Sequence, residues 1–360
     1  MDFAKTYAEI LPELSQAFEE FILNGEYIGG SPVERFESKI KERTGAIHAI
    51  ACKSGTHALQ LALLAAGIGQ GDEVITVANT YYATAYAIRS VGAMPIFCEV
   101  DFASGLMDSG RVDSLITSRT KAVMPVHLYG APVDLDALGS ICALHGLHLI
   151  EDCSHAFGSS YHNTPIGINS DFACFSLYPT KNLGAFGDAG MVLTRSAEHD
   201  ASVRRMLYLC DRSRSVFPPR AIHAMLDPLQ AALLTVTLDA FPGYKHRRQE
   251  LAGLYRKKLA DKVRMLPEDP NSEVNPYVFP IFTDKRDQLL RYLKDMDIHV
   301  QVHYDTDLHR LPQFGGLAAG SLPITERHNR EVLSLSVHPS LTNAEAEMVS
   351  EAVVSFINGN

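Results

Sequence analysis

Nowhere does this chain hold an apolar run approaching the roughly 20 residues that a bilayer span needs. No signal-peptide core follows Met1-Asp2-Phe3-Ala4-Lys5. A soluble, cytoplasmic protein without membrane contact is therefore the expectation. Blocks of like charge are missing as well, and the net charge is −10. Nucleic acid is not the expected partner, because phosphate backbones need clustered lysine and arginine. The six cysteines (Cys52, Cys98, Cys142, Cys153, Cys174 and Cys210) show neither Cys-x-x-Cys nor zinc-like spacing. No metal is expected, and cysteines in apolar stretches read as buried thiols of a reducing compartment. No G-x-G-x-x-G turn follows the first strand, which argues against a dinucleotide-binding dehydrogenase. Repeats and low-complexity tracts are absent.

What remains is an ordinary globular composition, 46% hydrophobic and 21% charged over 360 residues, enough for one large and one smaller domain. Apolar residues at helical spacing predict helices over residues 6–23 and 33–43. A strand at His48–Cys52, the turn Lys53-Ser54-Gly55-Thr56 and an Ala/Leu-rich helix from His57 follow. Strands at Glu73–Val77, Met94–Val100, Lys121–Val126 and Leu147–Asp152 then alternate with helices of about ten residues, which implies an α/β protein with a mostly parallel sheet covered on both faces. A helix from Leu229 to Leu238 is expected to break at Phe241-Pro242-Gly243, with a charged helix restarting near Tyr244. Beyond about residue 270 the pattern turns α+β, with strands at Tyr277–Phe282 and His299–His303 and helices at Arg286–Met296 and Ala344–Ile357. The expected division is 1–245 for an N-terminal segment and large domain, and 246–360 for a small C-terminal domain.

Ligands in such sheets bind at the carboxyl ends of the strands, and the chemistry-bearing residues fall there. Asp152 ends one strand, and Lys181 follows the strand ending at Ser176, in Ser176-Leu177-Tyr178-Pro179-Thr180-Lys181-Asn182-Leu183-Gly184. A lysine and an aspartate leaving neighbouring strand ends are what pyridoxal 5′-phosphate (PLP) needs. The amine bonds the aldehyde carbon, and the carboxylate keeps the ring nitrogen protonated. Ser54-Gly55-Thr56, between a strand and a helix, is either a phosphate cradle or an ordinary capped turn. Ser176 is a further phosphate contact or a strand serine. Tyr81 is a ring-stacking aromatic or a core residue, and His155 orients the cofactor or fills a polar niche.

Taken together these segments resemble the DegT/DnrJ/EryC1/StrS family of sugar aminotransferases, over nearly the whole chain. Tyr27 to Glu37 is similar to the family's opening motif, Ser54 to Leu59 to its phosphate turn, and Ser176 to Gly190 to its lysine motif. The resemblance implies the type I PLP-dependent aminotransferase fold, with a smaller α+β C-terminal domain. It places the cofactor lysine at Lys181, the ring-nitrogen partner at Asp152, the stacking aromatic at Tyr81 and a ring-hydroxyl neighbour at His155. It implies ping-pong amino transfer from L-glutamate to a keto sugar by a homodimer whose sites are completed across the interface. The wording Tyr-Pro-Thr-Lys-Asn-Leu-Gly-Ala is closest to members that aminate a nucleotide-linked 3-keto deoxyhexose, with 4-keto sugars as the alternative. Lipopolysaccharide and antibiotic sugars both use this chemistry.

Three departures stand out. His223 replaces an asparagine that in the family reaches the cofactor phosphate of the partner subunit, Met225 replaces an arginine, and Asp305 replaces a proline. Tyr304 and His309 match a stretch that contacts substrate. Two other readings stay open: an aminotransferase or dehydratase of a cyclitol or aminoshikimate-type substrate, and a catalytically silent PLP-binding partner protein. The lysine at 181 argues against the dehydratase branch, which carries histidine there.

Overall fold

The computed structural model describes residues 2–209, 218–315 and 320–359. Its centre is a seven-stranded sheet of β1 (His48–Cys52), β2 (Glu73–Val77), β3 (Met94–Cys98), β4 (Thr120–Val123), β5 (His148–Asp152), β6 (Phe172–Ser176) and β7 (Gly190–Thr194). The spatial order is β1-β7-β6-β5-β4-β2-β3. The strands β3, β2, β4, β5 and β6 pair in parallel, while β7 runs antiparallel to both β1 and β6. Nearly every strand residue is buried, as a sheet covered on both faces requires. Alternation splits the strands between the two covering layers. Ile150 joins the core under the helix Gly55–Ala65, whereas Leu149 joins the core on the other face with Leu138 and Tyr129.

Helices α2 (Ser31–Thr44), α3 (Gly55–Ala65), α4 (Tyr82–Ser90), α5 (Leu135–His145) and α6 (Ala197–Leu207) cover this sheet, while α1 (Leu11–Asn24) packs on the long helix Pro228–Leu259. Both α1 and α2 stop at a left-handed glycine, Gly25 and Gly45, where the predicted periodicity also ends. Asp134 caps α5 through Ala137 N–H.

The predicted break at Pro242 does not occur. Pro228–Leu259 is one helix of 32 residues, α7, with Pro242 inside it. Proline cannot donate to the carbonyl four residues back, and Arg43 supplies the missing donor: its Nη2 bonds Leu238 O at 3.2 Å. Burial of Leu234, Leu238, Phe241, Leu251 and Tyr255 along one side holds the helix through the interruption. Residue 245 lies inside α7, which carries the chain from the large sheet to a three-stranded antiparallel sheet. That sheet consists of β8 (Arg264–Met265), β9 (Phe279–Phe282) and β10 (Val332–Leu335), in that order. Helices α8 (Arg286–Asp295), α9 (Pro323–Glu331) and α10 (Asn343–Asn358) accompany it. The strand expected at His299–His303 reduces to a single bridge between Gln301 and Ser334, on the edge of β10 that β9 leaves open.

Five cysteines are free and buried, as expected; Cys210 lies outside the described residues. Among the described residues no helix is long and apolar enough to cross a membrane.

Candidate active site

Four loops converge where β1, β2, β5 and β6 end, around a cavity of about 490 Å³. The first is the turn into α3. Ser54 caps the helix, its Oγ accepting from His57 N–H at 3.3 Å and bonding His57 Nδ1 at 2.7 Å. A Cβ on Gly55 would lie 2.7 Å from Ser176 Cβ, and one on Gly190 would lie 2.3 Å from the Ser54 carbonyl carbon. Only glycine lets the α3 N-terminus, the end of β6 and the start of β7 come this close. The free N–H groups of the first α3 turn, the Ser54 and Thr56 hydroxyls and Ser176 thus border one space. Helix dipole and donors together favour an anion there.

The second element is Asp152. On a strand of period two, neighbouring carboxylates face opposite ways. Asp152 turns to the cavity, where Thr84 Oγ1 donates to Oδ2 at 2.8 Å and Ser154 N–H to Oδ1 at 3.1 Å. Thr80 lies just before the cap of α4, and its hydroxyl shares a bond of 3.1 Å with that of Thr84 in the first turn. Glu151 turns the other way and pairs with His127 Nε2 at 2.7 Å, both fully buried. Val133 N–H donates to His127 Nδ1 at 3.2 Å, so the ring proton sits on Nε2 and points at Glu151. His127, Glu151 and Cys153 lie within metal-ligating reach of one another among the described residues. That proton occupies the histidine lone pair a metal would use, and the trio serves as a hydrogen-bonded brace.

The third is Lys181. Burial pulls its pKa down from 10.5 to about 8, with Asp152 opposing the shift. Its Nζ lies 4.4 Å from the centroid of Tyr277. His155 stacks on the same Tyr277 at 4.2 Å. Tyr129 N–H donates to His155 Nδ1 at 3.3 Å, which leaves the proton on Nε2, 3.2 Å from the Tyr304 hydroxyl. Burial first, then the charges of Lys181 and His303, hold His155 well below its ordinary pKa, so it is neutral. His303 falls to about 4 by burial and the Lys181 charge.

Ser54, Gly55, Thr56, Tyr81, Asp152, His155, Ser176, Lys181 and Tyr304 all border this one cavity. Tyr81 is 46% exposed, its hydroxyl donating to that of Tyr82 at 2.7 Å while its ring borders the cavity. His223 is exposed and outside the cavity lining, and Met225 packs behind α3. His309 does not reach the site. It is fully buried and bonds Glu326 Oε1 at 3.1 Å through Nε2, because its neighbours Leu308 and Leu311 take the positions facing the open space. Asp305 borders a second cavity of about 800 Å³, which shares Thr80, Tyr81 and Tyr304 with the first and adds Tyr86, Arg89 and Gln313. The sequence pointed to His303 only as part of the stretch it shares with Tyr304 and His309, and gave no role to Thr84 or Tyr277. Only the place of Thr84, in the first turn of a helix that follows a strand end, gave any signal.

An anion cradle too tight for a Cβ, a buried carboxylate held by two donors, a lysine with reduced proton affinity and an exposed aromatic form one wall. These residues fit PLP: a phosphate, a ring nitrogen, an aldehyde carbon and a ring face each find a partner. Fold and cavity define the class of PLP-dependent transferases.

The chain belongs to the DegT/DnrJ/EryC1/StrS aminotransferase family, whose model matches residues 9–354. It is 36% identical to the dTDP-3-amino-3,4,6-trideoxy-alpha-D-glucose transaminase of Streptomyces venezuelae, covering 98% of this chain and 94% of that one. It is 38% identical to the "erythromycin biosynthesis sensory transduction protein EryC1" of Saccharopolyspora erythraea, over 97% and 96%. The crystal structure of S. venezuelae DesV in complex with a ketimine intermediate superposes with a TM-score of 0.95 at 35% identity, over 99% and 97% of the two chains.

Proposed function

We propose that this protein transfers the amino group of L-glutamate to a nucleotide-linked 3-keto deoxyhexose, as a cytoplasmic homodimer. The observation that carries the reading is the single cavity bordered by Lys181, Asp152 and the α3 cradle. The Streptomyces relative, named for a 3-amino sugar nucleotide, supports the choice of sugar. The Saccharopolyspora relative's name keeps a regulatory, silent partner in view. The complete lysine–carboxylate–cradle set weighs against that, since a scaffold has no need of a lysine with lowered proton affinity.

When bound, PLP supplies a ring that draws electrons from the carbon being deprotonated. The chain's residues do the rest. Ser54, Gly55, Thr56 and Ser176 anchor the phosphate. Asp152, aimed by Thr84 and Ser154, accepts from the protonated ring nitrogen. Tyr81 would cover the ring, and the neutral His155, whose Nε2 faces the Tyr304 hydroxyl, would stand beside it. Lys181 Nζ acts as base and then acid for the α-proton of the amino donor. Its pKa of about 8 leaves both forms populated near neutrality. The larger cavity, with its tyrosines, Arg89 and Asp305, receives the remainder of the acceptor, and Tyr304 stands at its junction with the first. His223, exposed on its own subunit, serves the phosphate of the partner's cofactor.

The test is the visible spectrum of purified protein with PLP, before and after L-glutamate, followed by a panel of 3-keto and 4-keto sugar nucleotides. Conversion of the cofactor by glutamate, then regeneration by a 3-keto sugar, is expected; Lys181→Ala abolishes both. Bound cofactor indifferent to glutamate would favour the silent partner.

A further inference from the structure

Nothing in the loop of Lys181 holds its Nζ; that contact comes from the other half of the chain. Tyr277 lies two residues before β9, and its backbone is fixed on both sides. Its N–H donates to Tyr129 O at 2.9 Å, and its carbonyl accepts from Arg248 Nη1 at 3.3 Å. The Asn275 carbonyl accepts from Asn182 Nδ2 at 2.8 Å, while Asn275 N–H donates to Ser159 Oγ at 2.9 Å. The Tyr277 hydroxyl shares a bond with Thr180 Oγ1 at 3.3 Å, one residue from the lysine. A ring held this firmly, with the Lys181 ammonium 4.4 Å from its centroid, is a built contact.

We propose that Tyr277 is a positioning residue for Lys181, its ring face being the place to which the Nζ returns whenever the amine is not bonded to the cofactor. The proposal rests on the reading that Lys181 is the cofactor-bearing amine. An aromatic face suits this task better than a carboxylate. It attracts the ammonium through the ring quadrupole, yet accepts no proton and takes no hydrogen bond that must be broken when the amine is called on. Asp152 is left to the ring nitrogen, where its two donors point it. The other titratable groups around Nζ are His155 and His303, both neutral, with Tyr178, Tyr304 and Asp188 bordering the same cavity. Against this background the Tyr277 ring partly offsets the burial that disfavours the lysine charge.

The test is the pH dependence of the rate at which added PLP becomes covalently attached to cofactor-free protein. That reaction loses water and needs the neutral amine. The midpoint reports Lys181 and is expected near 8 in the wild type. Tyr277→Phe retains the ring, and its midpoint stays within about 0.2 of a unit. Tyr277→Leu lowers the midpoint by about half a unit or more, because the ammonium loses its partner. Stepwise fluorination of a phenylalanine at 277 keeps the shape, removes any doubt about folding, and lowers the midpoint with each fluorine as the ring face loses negative character. A midpoint unmoved by fluorination overturns the proposal. So does a Tyr277→Phe shift as large as that of Tyr277→Leu, which would place the effect in the hydroxyl bond to Thr180. Absence of any attachment in the wild type removes both the proposal and the reading under it.

Discussion

Replacing Lys181 with methionine in the cofactor-free protein should make it more stable, and by an amount that depends on pH. The lysine pKa falls from 10.5 to about 8 on folding, chiefly through burial. Between these values the unfolded chain binds the proton that the folded chain has lost, so stability rises with pH across that window. Below pH 8 both states are protonated and the full cost of burying the charge is present. At about 1.4 kcal/mol per unit, that cost is about 3 kcal/mol at most, since the cavity admits some water. Lys181→Met removes the charge and keeps most of the side-chain volume. Urea unfolding of the two cofactor-free proteins should show the variant ahead by about 2–3 kcal/mol at pH 7, narrowing to about 1 kcal/mol at pH 9.5. Added PLP should reverse the order, because only the wild type gains the covalent ligand. A pH-independent difference, or a less stable variant at pH 7, would refute the idea that the lysine is held at an energetic cost.

Thr84→Val removes one of two donors to the buried Asp152 carboxylate and should lower kcat/KM about tenfold, with Thr84→Ser restoring most of it; steady-state kinetics decide. Gly55→Ala forces a Cβ to within 2.7 Å of Ser176 Cβ and should weaken PLP binding by about tenfold or more, read by absorbance titration. His309→Leu strips Glu326 of one partner and should cost about 1–2 kcal/mol of stability while leaving kcat/KM within about twofold. A larger kinetic loss would return His309 to the substrate path.

What the sequence made legible, and what it hid, follows from distance along the chain. The cradle, the ring-nitrogen carboxylate and the lysine each lie within a few residues of a strand end. A reading of strands therefore finds them without knowing which strands are neighbours. Asp152 and Thr84 are 68 positions apart, and Thr180 and Tyr277 are 97 apart. No local pattern joins such pairs, and only the crossing of α7 into the small sheet brings Tyr277, His303 and Tyr304 to the lysine. The same holds for structure: the continuity of α7 through Pro242 depends on Arg43, 195 positions from Leu238. Proline rules judged from the helix alone could not anticipate a donor arriving from elsewhere.

The pair Glu151-Asp152 was legible in one more respect. Period two places adjacent strand residues on opposite faces, so one carboxylate had to leave the site. Each then needed its own partner to be buried at tolerable cost. Glu151 has His127, and Asp152 has Thr84 and Ser154, which still leaves its oxygens able to accept more. A buried aspartate hydrogen-bonded only by neutral donors still has oxygen lone pairs that call for a further donor from the cavity. That is the requirement a protonated ring nitrogen meets, and it makes Asp152, more than the lysine alone, the residue that ties this fold to its cofactor.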